Sequence, residues 1–203
     1  MSGAFPISSA KFETLGIKST QNTIISKSIS GKKLSRQVDN QRFGFTARII
    51  TAKRSDVYGE LMAFIMKQRS SKENFTIIPP EIQNARGTIS GTVLVNGVHA
   101  VGDTTIDVDA MTGNLKSGDF IKFNGHTKIY MVVADVTADG SNEATVTIEP
   151  PLISALANNE AVTYDSVPFT VHLTNDVQDF GVVGADKDGN LLYQFELDVE
   201  ETL

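Results

Sequence analysis

Residues 43–80, FGFTARIITAKRSDVYGELMAFIMKQRSSKENFTIIPP, decide how the fold is read. Phe43, Phe45, Ala47 and Ile49 alternate with Gly44, Thr46, Arg48 and Ile50, which predicts a strand with one buried face. Ser55 or Asp56 is the expected cap of a following helix. Val57, Leu61, Phe64 and Ile65 share one face of that helix, with Tyr58 and Met62 beside them. Lys67 and Arg69 suit its carboxyl end, where the helix dipole is negative. Residues 70–74 are polar and predict a turn. Phe75, Thr76, Ile77 and Ile78 predict a second strand, stopped by Pro79 and Pro80. The unit is strand, helix, strand, and nothing in it is catalytic.

Beyond Pro80 the pattern changes. Residues 81–87 are a polar link, and from Thr88 short apolar runs alternate with turn signals, as in a small barrel or sandwich. Thr92–Val95 runs into Asn96-Gly97, a hairpin signal. Thr105–Val108, Phe120–Phe123, Ile129–Val133, Ala144–Ile148 and Ala161–Tyr164 are further expected strands, and Leu152–Ala157 an expected helical turn. From Ser166 the runs lengthen. Phe169, Val171 and Leu173 alternate with polar residues, Asp186–Asn190 is a turn, and Tyr193, Phe195, Leu197 and Val199 alternate with Gln194, Glu196, Asp198 and Glu200. The fold class is therefore mainly β (α+β), with one principal helix. The expected organisation is discontinuous. Residues 1–87 and 166–203 form one domain of sandwich or barrel type, and 88–165 form a small all-β domain inserted between them.

Upstream, residues 1–42 are rich in Ser, Lys, Gln and Thr and are expected to hold an extended arm or long loop. Ile24, Ile25 and Ile29 suggest short strands there, with residues 30–33 as a loop or hairpin tip. Gly31, Lys32 and Lys33 lack the upstream glycine of a phosphate-binding loop. The segment Met1–Ala10 lacks the layout of a secretory signal. No apolar run approaches the roughly 18 residues of a membrane helix.

The 203-residue chain is 40% hydrophobic and 21% charged, with no cysteine, so disulfides and thiolate metal sites are excluded. Its net charge of −6 is unevenly spread. Residues 1–54 hold ten basic side chains against Glu13 and Asp39, a net +8, which leaves −14 for residues 55–203. Three readings stay open: neutralisation within the subunit, head-to-tail assembly of basic on acidic parts, and a nucleic-acid patch.

Candidate chemistry is sparse. His99, His126 and His172 stand apart from other ligands. No Gly-x-Ser-x-Gly occurs. Residues 186–190 start like a calcium loop but misplace its glycine. Asp107 and Asp109 share a strand face, with solubility as the competing explanation for a carboxylate pair. Catalytic, metal and cofactor sites are all expected to be absent. The acidic row Glu196, Asp198 and Glu200 is either a solvated sheet face or the wall of a channel that repels passing nucleic acid.

Three segments resemble the tail proteins of tailed bacteriophages. GELMAFIMKQRSSKENFTIIPP, within 42–80, resembles the strand–helix–strand unit of distal tail proteins. VGDTTIDVDAMTGNLKSGDFIKFNGHTKIYMVVAD, with ATVTIEPPL and AVTYDSVPFTV, is similar to a small β-domain of phage structural proteins. DFGVVGADKDGNLLYQFELDVEETL resembles their closing strands. The resemblance implies a non-enzymatic virion protein, assembled in the host cytoplasm. It would form a hexameric ring at the distal end of the tail or in its tube, joining the tube to hub, fibre or receptor-binding parts. Lys32, Lys33, Arg36, Arg42 and Arg48 are then the expected subunit contacts. Glu196, Asp198 and Glu200 are the expected lumen lining, with DNA only in transit. The alternative is a carbohydrate- or receptor-binding accessory module of the virion.

Overall fold

The computed structural model describes residues 3–6, 11–38, 40–80 and 82–203. Asp39 of the basic segment, Glu81 of the polar link and most of Met1–Ala10 lie outside them. The protein is mainly β with one principal helix, as its residue patterns predict.

A six-stranded antiparallel sheet is built from β1 (Phe12–Thr20), β4 (Arg42–Lys53), β16 (Leu191–Glu201), β14 (Phe169–Leu173) and β5 (Phe75–Ile77), in that order. β15 (Phe180–Ala185) pairs with the first half of β16, beside β14. The centre is β4 against β16, where Phe45 is level with Val199, Ala47 with Leu197 and Ile49 with Phe195. All six are buried, so the two strands that alternate most clearly in sequence pair along one apolar face. A π turn over Arg54–Tyr58 leads into α1 (Gly59–Lys67); the turn lays Val57 and Tyr58, and the helix Leu61 and Ile65, into the same core. Neither end of this helix is opened by Ser55 or Asp56. No side-chain cap forms, and Ser55 instead donates its hydroxyl to Asp56. The tyrosine hydroxyl of Tyr58 donates to the carbonyl of Ile50, tying the helix start to β4. Phe64 is half-buried, with its ring at 5.3 Å from Phe75 and 5.7 Å from Phe5.

The second unit lies in sequence between β5 and β14. Its strands run β13 (Val162–Thr163), β9 (Phe120–Phe123), β10 (Ile129–Val132), β12 (Ala144–Glu149), β7 (Thr105–Asp109) and β6 (Leu94–Val95). The Leu94–Ala161 bridge joins the two ends, and the Val162 and Val95 amides donate across the seam, so the sheet is nearly a closed barrel. β8 (Asn114–Leu115) and β11 (Val136–Thr137) pair beside it. Val93, Ile106, Val108, Ile121, Phe123, Tyr130, Val132, Val146 and Ile148 fill the interior.

Two local expectations change. Asn96-Gly97 does not make a tight hairpin: residues 96–104 form a longer loop between β6 and β7, held by exchanged bonds between His99 and Leu156 and by Gly102 on Leu152. For the same reason Leu152–Ala157 is not helical, since its backbone is committed to that loop. The polar link is stitched to the barrel. The Ala85 amide donates to Tyr164, Arg86 donates through its backbone and Nε to buried Asp119, and Thr88 donates to Asn114. A Cβ on Gly87 would lie 2.0 Å from the Asn114 carbonyl, so that closeness requires glycine.

Residues 1–42 hold more regular structure than an extended arm or long loop. Phe12–Thr20 is the sheet strand β1, paired with β4 from Phe12 on Ile49 to Thr20 on Arg42. β2 (Thr23–Lys27) and β3 (Lys33–Gln37) then pair with each other, turning at residues 28–32; the expected tip at 30–33 is shifted, with Ile29 in the turn and Lys33 already in β3. The ribbon that begins as β1 and β4 therefore continues past the sheet as a two-stranded arm. At about 3.3 Å per residue the arm reaches roughly 25–30 Å from Asn22 to its tip.

Candidate assembly surfaces

The face of the sheet opposite α1 carries a ladder of charges. Arg48 is directly opposite Glu196, and its guanidinium donates to that carboxylate at 2.8 Å. Lys18 donates to Asp198 at 2.7 Å, and Thr46 donates to the same oxygen at 3.1 Å. Arg42 sits 3.9 Å from Glu200. The reach of Lys18 follows from Gly44. Lys18 on β1 must cross β4 to meet β16, and Gly44, level with it, presents no side chain in the way. A Cβ at Gly44 would also stand 2.9 Å from the Val199 carbonyl.

These contacts set the ionisation of the row. Burial raises the Asp198 carboxyl, but hydrogen bonds from Lys18, Thr174 and Thr46 outweigh it and hold the group below the usual carboxylate range. The bond to Glu196 raises the Arg48 guanidinium further above its already high value. Three carboxylates therefore meet three cations, and the face is neutral along this row. The expectation that bare negative charge would repel phosphate needs revising: Glu196, Asp198 and Glu200 are each matched. Two of the expected contact residues, Arg42 and Arg48, are engaged within the chain by the same pairs.

Lys32, Lys33 and Arg36 lie on the arm with Lys27. All four are exposed, and none forms an ion pair among the described residues. Beside them Ile24, Ile25, Ile29, Leu34 and Val38 are exposed too. An isolated two-stranded ribbon is marginal in water, and this one displays apolar side chains with no body of its own chain to cover them.

A third site lies where barrel and sheet meet, and it was not read from the sequence. Lys128, in the loop before β10, and Glu201, at the end of β16, are both 0% exposed. Lys128 donates to Glu201 at 2.5 Å and to Gln41 at 3.2 Å, and it stands 4.7 Å above the ring of Phe43. The carboxylate also accepts the Phe43 amide at 3.1 Å and the Ile129 amide at 2.6 Å. Burial pushes the Lys128 ammonium down, and the attraction of Glu201 opposes that. The signal was available. Period two puts residue 201 on the face of Phe195, Leu197 and Val199, where a glutamate needs a partner. Next to the pair, Phe120 packs edge-on against Phe43 and Phe169, at 5.2 and 5.6 Å.

The remaining candidates are structural in their contacts. His172 shares a hydrogen bond with Thr202 at 3.0 Å. His126 stands 3.7 Å from Glu160, and His99 3.9 Å from Asp103. Asp107 accepts the Thr145 hydroxyl. Asp186 folds its own turn, accepting the amides of Asp188 and Asn190, and it pairs with Lys53; the lysine first, then Asn190, hold its carboxyl far below the usual range. Among the described residues no group of His, Asp and Glu is arranged to hold a metal ion, and no helix is long and apolar enough to cross a membrane.

Residues 81–167, the barrel together with its stitched link, match the family model described as distal tail protein pb9, B domain. The chain thus resembles a phage distal tail protein over this segment. No curated protein matches the chain. A distal tail protein domain implies a structural role in a phage tail, with other tail proteins as partners and the virion as location. The match begins ahead of Thr88, and the contacts of Ala85 and Arg86 with the barrel fall on that earlier stretch.

Proposed function

We propose that the protein is the subunit of a ring at the distal end of a phage tail or in its tube, joining the tube to hub, fibre or receptor-binding proteins. The observation that carries this reading is the distal-tail B-domain match over residues 81–167, set between strands of one open sheet. Residues 1–87 and 166–203 form the ring domain in this reading. The barrel is an insertion that projects from it, fixed in direction by the buried Lys128–Glu201 pair. The number of subunits that the resemblance implies is six.

The ladder of Lys18, Arg42 and Arg48 against Glu196, Asp198 and Glu200 faces the lumen. Its physical logic is neutrality: each cation already holds a carboxylate, so DNA phosphates passing it find few free charges to bind. The arm, with Lys32, Lys33 and Arg36, contacts a neighbour.

Negative-stain images of the purified protein, with light scattering on a sizing column, test the reading. Closed six-fold rings are expected, together with loss of rings when Lys32, Lys33 and Arg36 are changed to Glu. A monomer at every concentration would overturn the ring. A map that puts Glu196 on the outer wall would overturn the lumen assignment.

A further inference from the structure

We infer that the arm of one copy docks on the open edge of β15 of a second copy, head to tail. This rests on the self-assembly reading above and names the surface that the arm meets. The first observation is the state of that edge. β16 is paired along one side by β4, and its other side is shared by β14 and β15. The far edge of β15 has no strand partner among the described residues. Edge strands are usually guarded by charge, proline or cover. The other open edge, β1, carries Glu13 and Lys18, and β5 is covered by residues 3–5 of its own chain through Phe5 on Thr76 and Thr76 on Gly3. β15 reads FGVVGA, with no charge and no proline, and Val182 and Val183 are 52% and 53% exposed. Its one edge device among the described residues is the register shift between Val182 and Gly184 against β16, which makes it the least guarded edge of the sheet.

The second observation is charge. The arm, residues 22–38, carries Lys27, Lys32, Lys33 and Arg36 and no acid, a net +4, which leaves −10 for the remainder of the −6 chain. Residues 174–191, which contain β15, carry Asp176, Asp179, Asp186 and Asp188 against Lys187, a net −3, or −2 once Lys53, which pairs with Asp186, is counted. Apolar exposure matches as well: Ile24, Ile25 and Leu34 on the arm, Val177, Val182, Val183 and Leu191 around β15. A strand of the arm that adds to β15 satisfies both edges, covers both apolar sets and brings opposite charges together.

The third observation is direction. β15 lies at the end of the sheet where Leu192 meets Lys53, whereas the arm leaves at the other end, where Thr20 meets Arg42. The arm of a chain therefore points away from its own β15. Donor and acceptor at opposite ends make a heterologous contact, which propagates from copy to copy and closes only if its rotation allows.

The chain has no cysteine, so pairs can be introduced on a clean background. Full-length Ile24→Cys, Ile25→Cys or Leu34→Cys protein is mixed with Val182→Cys or Val183→Cys protein and oxidised mildly. Because a disulfide needs its Cα atoms within about 7 Å, at least one pair is expected to give roughly tenfold more mixed dimer than the arm cysteines give with Thr14→Cys on β1. The doubly substituted Ile25→Cys, Val183→Cys chain is expected to give a ladder. Asp179→Lys with Asp188→Lys should lower the yield. If light scattering shows oligomers but every arm–β15 pair stays at the Thr14→Cys level, the docking surface is wrong and self-assembly stands. If the protein is monomeric throughout and nothing cross-links, both fall.

Discussion

The barrel and the six-stranded sheet treat their edges in opposite ways. The barrel brings β6 round to β13 and pairs most of its own edge groups, turning to the sheet only at the seam, where Lys128 and the Ile129 amide meet Glu201. The sheet has longer strands and a deeper aromatic core, yet it leaves β15 bare and sends a ribbon of exposed isoleucine and lysine past its margin. The closed unit carries the family match, and the open unit carries the unpartnered surface. The difference teaches that closure and the family match go together here, and that the surface proposed to meet neighbours lies on the unit whose edges stay open.

That contrast can be broken at the seam. Glu201→Ala leaves Lys128 buried without its counter-charge and strips an acceptor from the Phe43 and Ile129 amides. A loss of about 3–5 kcal/mol is expected in urea unfolding. The contrast is sharpened if two transitions then appear, the barrel outlasting the sheet. A single unchanged transition would show that the two units do not depend on this junction. Next in size, Leu61→Ala empties a fully buried site between α1 and the sheet, at about 2–5 kcal/mol. Circular dichroism during heating should show the sheet melting earlier, and a melt equal to that of the parent would mean that the helix is dispensable. The smallest effect is expected from Arg48→Ala. The Arg48–Glu196 pair is largely exposed, 43% and 65% for the two side chains. Exposed pairs contribute little, so the urea midpoint of Arg48→Ala should match that of the parent, and a clear drop would mean that the ladder matters to the fold of the subunit and not only to its surface.

Most of the sheet was legible in the sequence because burial on one face writes a period of two. Phe43 to Ile49, Phe169 to Leu173 and Tyr193 to Val199 all show it, and all became core strands. β1 and β15 left no such mark. β1 buries only part of Phe12 and Leu15 and sits at an edge, so it read as part of an arm or loop, while β15, with two glycines and two exposed valines, was marked only by the resemblance to closing strands. The arm showed its turn but not its ladder, since strands exposed on both faces carry no alternation. Of the expected site residues, Lys32, Lys33 and Arg36 were legible as unengaged cations. The engagement of Arg42 and Arg48 was not, because cross-strand partners separated by about 150 residues depend on register. Glu201 was legible in principle, because period two sets it on the apolar face of β16 and not in the row of Glu196, Asp198 and Glu200.

The place of β16 in the sheet has a consequence for how the chain is made. It is the central partner of β4, β14 and β15, and it follows all three of them in the chain. Residues 82–167 hold every barrel strand in one continuous stretch, whereas β4, paired early with β1, takes its other partner about 150 residues later in the chain. Until translation reaches Glu201 the sheet has no middle, the seam with the barrel has no carboxylate, and β15 has nothing to hang from. The proposed docking edge therefore depends on β16 being in place, and a chain that stops short of β16 should not offer it.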